Sequence, residues 1–193
     1  MKNLIYKTEP EYCTDIKKAL SKDFELLPEE TIHWPIEGET KRVDFIIHPK
    51  AHLIKHGFDA EKIAIEVKSP INKNPEAVKK LLDCISQAHS YTMCKHNGEY
   101  IDFVLIYPAI ELFFEYDFIY KYKSDPRNKY TRQEINLLHR VLQRANIGSL
   151  KINQESYQIN FAGTRFYSPE KGRSKIKNLG KIRRIGSQKI ILK

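Results

Sequence analysis

Three side chains in two short stretches have the types and spacing for phosphodiester chemistry. "RVDFIIHP" places Asp44 within an apolar run, and "IAIEVKSP" places Glu66 and Lys68 two residues apart in another. Along a strand, alternation sends Ile63, Ile65 and Val67 to one face and Ala64, Glu66 and Lys68 to the other. The same alternation groups Asp44, Ile46 and His48 against Val43, Phe45 and Ile47. If the two strands are sequential antiparallel neighbours, Asp44 lies beside Glu66 with Lys68 one pleat further on. Two adjacent carboxylates repel unless a cation sits between them, and a hard cation such as Mg²⁺ or Mn²⁺ prefers oxygen ligands while keeping several waters. Such an ion acidifies water, and an ammonium beside it would orient that water and stabilise developing negative charge. The reaction class is phosphodiester hydrolysis. The bland alternative is a half-exposed strand carrying an Glu66–Lys68 ion pair.

The elements that must hold this trio can be followed along the chain. "EYCTDIKKAL" has Ile16 and Leu20 four apart, with Tyr12 and Cys13 a turn earlier, as in an amphipathic helix, and "FELLPEE" reads as a turn after it. "TIHWPIE", "GET" and "KRVDFIIHP" predict a hairpin. The third strand spans 62–68. A long helix should then open with Asn74 as N-cap and Pro75 at its first position, with Ala77, Val78, Leu81, Leu82, Ile85 and Ala88 at helical spacing until "KHNGE" stops it. "YIDFVLIYP" reads as a buried strand. This order predicts an α/β protein, a mixed sheet flanked by helices over 1–120. A small C-terminal α+β extension over 121–193 follows, with a helix over 131–145, a strand at "SYQINFA" and a basic tail.

In place, Asp44 and the "EVK" of Glu66 and Lys68, 22 positions later, resemble the PD-(D/E)xK nuclease superfamily, with Arg42-Val43 where the proline of the motif's name would stand. In "SQAHSY", Gln87 and Tyr91 share a helical face directly after that strand. They look like the QxxxY element of the exonuclease-like branch. The resemblance covers about residues 9–107. It implies a restriction-endonuclease-like core and Mg²⁺- or Mn²⁺-dependent cleavage of DNA. By the same resemblance Asp44 and Glu66 would be metal ligands, Lys68 would orient the water, and Gln87 and Tyr91 would support them. A first-helix glutamate would complete the metal site; of Glu9, Glu11 and Asp15 in "TEPEYCTD", Glu11 is preferred, and a first-turn charge serving the helix dipole is the alternative.

Composition bounds the partners. The chain has 193 residues, 41% hydrophobic and 11% aromatic, enough for one real core. Its formal charge of +9 is uneven: residues 1–164 carry 23 basic and 23 acidic side chains, whereas 165–193 carry 10 basic and one acidic. Lys171, Arg173, Lys175 and Lys177 fall at every second position, followed by Lys181, Arg183 and Arg184, a pattern suited to a backbone-tracking arm or to a solubilising end. Expected partners are single- or double-stranded DNA, and a second copy or a larger nuclease complex. A non-catalytic module that keeps a nuclease-like fold and holds nucleic acid is the alternative function. Three cysteines without a CxxC pair, no secretory h-region and no apolar run of ~20 residues suggest a cytoplasmic, non-membrane protein. His48, His52 and His56 recur every four residues but lie between Pro49 and Gly57 and far from cysteines, so they read as a connector rather than a zinc site. "LFFEYDFIYKYKSDPRNKY" could stack bases or pack the C-terminal part onto the core.

Overall fold

The computed structural model describes residues 7–36, 38–55, 58, 62–69, 75–108, 137, 140–142, 144–153, 156–161, 164–169 and 172–173. Helix α1 (Glu9–Leu20) opens at Thr8, whose backbone N–H donates to the Glu11 carboxylate at 2.7 Å, with Pro10 in the first turn. Acids at its start and Lys17 and Lys18 at its end complement the helix dipole. It buries Tyr12, Ile16, Ala19 and Leu20, the spacing of one helical face. Each large member of that set contributes roughly 1.5–3 kcal/mol by leaving water.

Strands β1 (Phe24–His33) and β2 (Thr40–Pro49) form the hairpin. Its turn is closed by the Trp34 N–H donating to the Glu39 carbonyl, with Gly38 at φ +82 supplying the left-handed residue. The expected turn at "FELLPEE" is instead the first half of β1, paired with β2 from Phe24↔Pro49 to Pro28↔Phe45. Pro28 is tolerated there because β1 meets its other neighbour, β4 (Lys95–His96), only at His33, so the edge beside Pro28 needs no ladder donor. A short helix, α2 (Ala51–Lys55), leads on to β3 (Ile63–Val67).

Helix α3 (Pro75–Tyr91) follows; the proposed Asn74 cap lies outside the described residues. "KHNGE" does more than stop this helix. It makes a small hairpin of β4 and β5 (Glu99–Tyr100) around Asn97 and Gly98, both at positive φ. Strand β6 (Phe103–Tyr107) lies parallel to β3, making β3–α3–β6 a crossover unit. Residues 137, 140–142 and 144 are helical, in line with the expected helix, and Asn146 at φ +57 ends it. Strand β7 (Ile147–Asn153) is parallel to β6, and β8 (Ser156–Phe161), β9 (Thr164–Ser168) and β10 (Gly172–Arg173) continue as an antiparallel meander.

The outcome is an α/β protein with one mixed sheet, ordered β10-β9-β8-β7-β6-β3-β2-β1-β4-β5. The sheet runs unbroken across the division expected at position 120. Leu150, Tyr157, Ile159 and Tyr167 share the core on the α1 side with Phe45, Ile65 and Leu105, while Ala64, Val104 and Ile147 pack with Leu81, Cys84 and Ala88 of α3. Among the described residues no helix is long and apolar enough to cross a membrane.

Candidate active site

The candidate residues meet where β2 parts from β3. Their ladder runs Ile47↔Ile63, Ile46↔Ala64 and Phe45↔Ile65, a register that aims Asp44 at Glu66, but backbone pairing stops at Phe45. Asp44 takes over with its side chain: its Oδ2 accepts the Val67 N–H at 2.7 Å. Strand β3 meanwhile stays paired with β6 and continues past its end, where the Lys68 N–H donates to the Tyr107 carbonyl.

A local break in alternation accompanies this opening. Phe45 and Ile47 face α1 as expected, but Val43 joins Ile46 on the α3 side, so β2 changes face across Asp44. The alternation that grouped Val43 with Phe45 and Ile47 is corrected accordingly. Opposite Asp44, Glu29 holds φ +57, a costly conformation for a non-glycine residue. Its register partners on either side, Pro28↔Phe45 and Glu30↔Val43, remain in step. The hairpin therefore twists at one position without slipping, and Glu29 is ion-paired with Arg42 across it.

The Glu66 side chain is 3% exposed and its Oε1 lies 2.9 Å from Lys68 Nζ, itself 25% exposed. Burial, and then the charge of Asp44, pushes the Glu66 carboxyl above its ordinary range, against the pull of Lys68 and Tyr91. Asp44 is also raised, by burial, although the Val67 N–H and Lys68 oppose the shift. For Lys68 burial would favour the neutral amine, but the hydrogen bond and charge of Glu66, with Glu9 and Asp44 behind it, outweigh burial and hold the ammonium above its usual value. The free protein thus carries two reluctant carboxylates and one firmly protonated amine.

Tyr91, at the end of α3, closes the group from that side. Its hydroxyl donates to the Arg42 carbonyl at 3.0 Å and also contacts the Glu66 carboxylate, tying the helix to both strands. Gln87, one turn earlier, is exposed, and its backbone carbonyl accepts the Ser90 hydroxyl. The two residues of the QxxxY pattern are therefore placed differently: Tyr91 inside, Gln87 at the exposed flank.

The three first-helix acids separate as clearly. Both Thr8 donors, the backbone N–H and the hydroxyl, reach Glu11 Oε2 at 2.7 and 2.8 Å, so that carboxylate serves the helix start. Asp15 pairs with Lys7 at 2.5 Å. Glu9 instead accepts the Ser69 N–H at 3.2 Å and acts electrostatically on both Asp44 and Lys68. Reciprocal capping engages the expected Glu11, while Glu9 is the first-helix acid whose charge reaches both Asp44 and Lys68. Replacing Glu11 with Ala should lower stability slightly through the lost cap, with little change at the Asp44 site. Replacing Glu9 with Gln should reverse that pattern, weakening Mg²⁺ binding with little loss of stability. Thermal melts with and without Mg²⁺ distinguish the two.

Asp44 and Glu66 offer hard oxygen donors, with Glu9 on the neighbouring helix, a set suited to Mg²⁺ or Mn²⁺ rather than a soft metal. Among the described residues, no three His, Cys, Asp or Glu side chains gather closely enough to cage an ion by themselves. Mg²⁺ does not require a full protein cage, since it is usually bound through one or two carboxylates with water completing its shell. A buried and a half-buried carboxylate that both resist ionisation are a donor set that a divalent cation would relieve.

Of the tail residues, Arg173 is described only in its backbone, opposite Tyr167 in β10. Lys171, Lys175, Lys177, Lys181, Arg183 and Arg184 lie outside the described residues, as do His56 and the aromatic stretch at 112–130. His48 is half-buried on β2, and His52 is exposed on α2 and paired with Asp23 at 2.9 Å. No protein-family model, curated protein or solved structure matches the chain.

Proposed function

We propose that the protein is a Mg²⁺- or Mn²⁺-dependent deoxyribonuclease with a restriction-endonuclease-like core, of the PD-(D/E)xK kind. The observation that carries this reading is the meeting of Asp44, Glu66 and Lys68 where β2 and β3 separate. A structural ion pair would explain Glu66 and Lys68 alone. It would not explain why a second, half-buried carboxylate is added to them, at a cost that the suppressed ionisation of both acids records.

Under this reading Asp44 and Glu66 hold the cation and Tyr91 fixes the orientation of Glu66. Lys68 would direct its charge to the scissile phosphate and orient the attacking water. The bound cation would contribute Lewis acidity toward phosphate and water. Glu9 supports the site from α1.

The test is incubation of purified protein with linear, circular and single-stranded DNA, with Mg²⁺, Mn²⁺ or chelator, while binding is followed in parallel. Metal-dependent loss of substrate is expected, abolished by chelator. The concentration of positive charge in residues 165–193 favours one second reading, a nuclease-like fold that only holds nucleic acid. Tight DNA binding without cleavage under any metal would establish that reading instead.

A further inference from the structure

We infer that the protein carries a second ligand site, beside the C-terminal end of α1, for a phosphate ester of nucleoside-monophosphate size. A cavity of about 600 Å³ opens there, within the range of small-molecule sites. Lys18 lines it nine residues beyond Glu9, hence ~14 Å along the helix axis from the acid that supports the carboxylate site. The cavity is distinct from that site in place and in charge.

Its chemistry is organised around Asp23. This residue is 7% exposed, and both its carboxylate oxygens are engaged: Oδ1 with His52 Nε2 at 2.9 Å, and Oδ2 with the Tyr157 hydroxyl at 2.7 Å. Tyr167 is in hydrogen-bond contact with Tyr157, so a chain of polar groups runs from the meander to α2. Asp23 is thereby unavailable as a cation ligand. What it does instead is orient His52: with Nε2 directed at the carboxylate, Nδ1 is the ring nitrogen left for a ligand.

Lys18 and Lys22 line the same cavity, and both residues are exposed. Two ammonium groups and an oriented imidazole are suited to phosphate oxygens through charge-assisted hydrogen bonds. Ala19 and Leu53 add apolar wall, and the buried rings of Tyr157 and Tyr167 form part of the lining. Inorganic phosphate alone would leave most of this volume unfilled. A phosphate attached to a planar, partly apolar body uses both the cationic and the apolar walls, which selects a mononucleotide, either free or at the end of a strand.

The experiment is calorimetric titration of the full-length protein, in chelator, with a nucleoside 5′-monophosphate, with inorganic phosphate, and with a single-stranded oligonucleotide bearing or lacking a 5′-phosphate. We expect one saturable site for the monophosphate, with inorganic phosphate at least tenfold weaker. Lys18→Glu and Lys22→Glu should each weaken binding tenfold or more, whereas Asp44→Asn should leave it unchanged. Phosphate-dependent binding of the oligonucleotide, lost in the same lysine variants, identifies a strand end as the source; its absence identifies a free nucleotide. No saturation at millimolar monophosphate, or affinity unchanged by both lysine reversals, overturns the site. Because the titration needs neither metal nor cleavage, its outcome is independent of whether the Asp44 site is a nuclease.

Discussion

Lys68→Ala is expected to lower DNA cleavage by about 10²–10³-fold while leaving the fold intact, the scale seen when one positioned electrostatic group is removed from an active site. The backbone bond from Lys68 to Tyr107 does not involve the side chain, so β3 and β6 stay paired. The ammonium lies 2.9 Å from a carboxylate that is almost fully buried. Removing it leaves Glu66 to be protonated or to remain charged without a partner, and roughly 1–3 kcal/mol of stability should go with it at neutral pH. Mg²⁺ should restore part of that loss, since a cation held by Asp44 and Glu66 supplies the missing charge. Lys68 stays protonated across the working range, because its carboxylate neighbours outweigh its burial. The role proposed for it is therefore electrostatic and positional rather than that of a general base. Lys68→Arg keeps the charge but replaces a compact ammonium with a planar fork, and should recover stability far better than activity. Cleavage rates and melting temperatures for wild type and both variants, with and without Mg²⁺, test this. Undiminished cleavage by Lys68→Ala would remove the residue from the mechanism.

The legible part of this site was carried by period-two alternation and by one register. Glu66 and Lys68 interrupt an apolar strand, and Asp44 interrupts the next, so a sequential antiparallel pairing suffices to bring them together. What alternation cannot show is a strand that changes face. Val43 crosses to the α3 side because Glu29 takes a positive φ opposite Asp44, and nothing in "PEET" requires that conformation. The same stretch hid half of β1, since Pro28 carries a turn signal that only its position on a nearly free sheet edge cancels. Glu9 and Glu11 could not be ranked by spacing, because both fall in the first helical turn. The choice is made by Thr8, which takes Glu11 for the cap. Strand β7 went unread for a related reason: "IGSLKIN" follows helical residues without a Gly or Pro break, and the stop is Asn146 in the left-handed region. Asp23 and His52 lie 29 residues apart and meet only through the tertiary fold.

Asp44→Asn should abolish metal-dependent cleavage, by about 10³-fold or more, and at the same time make the protein more stable at neutral pH. The loss would follow from removing one of the two charged oxygen ligands of the proposed metal site, where a bound cation would supply several kcal/mol of charge stabilisation. The gain follows from the apoprotein's electrostatics. Asparagine keeps an oxygen to accept the Val67 N–H, so the side-chain substitute for the ladder survives. It removes a charge that burial disfavours and that in turn pushes up Glu66. The sign with pH is fixed by linkage. A carboxyl whose folded value is raised favours folding fully below its unfolded value, and that contribution is lost as pH rises through the folded value. Wild type should therefore lose ground to Asp44→Asn on going from about pH 4, near the unfolded carboxyl range, toward neutrality. We expect the variant to melt above wild type in chelator at pH 7, with the gap closing toward pH 4. Added Mg²⁺ should reverse the order by stabilising wild type through binding and leaving the variant unmoved. Melting curves from pH 4 to 8, with Mg²⁺ and with chelator, read all three effects. A variant that melts below wild type in chelator at pH 7, or that still gains stability from Mg²⁺, would mean that Asp44 is held in place as a structural acceptor for Val67 and not as a ligand.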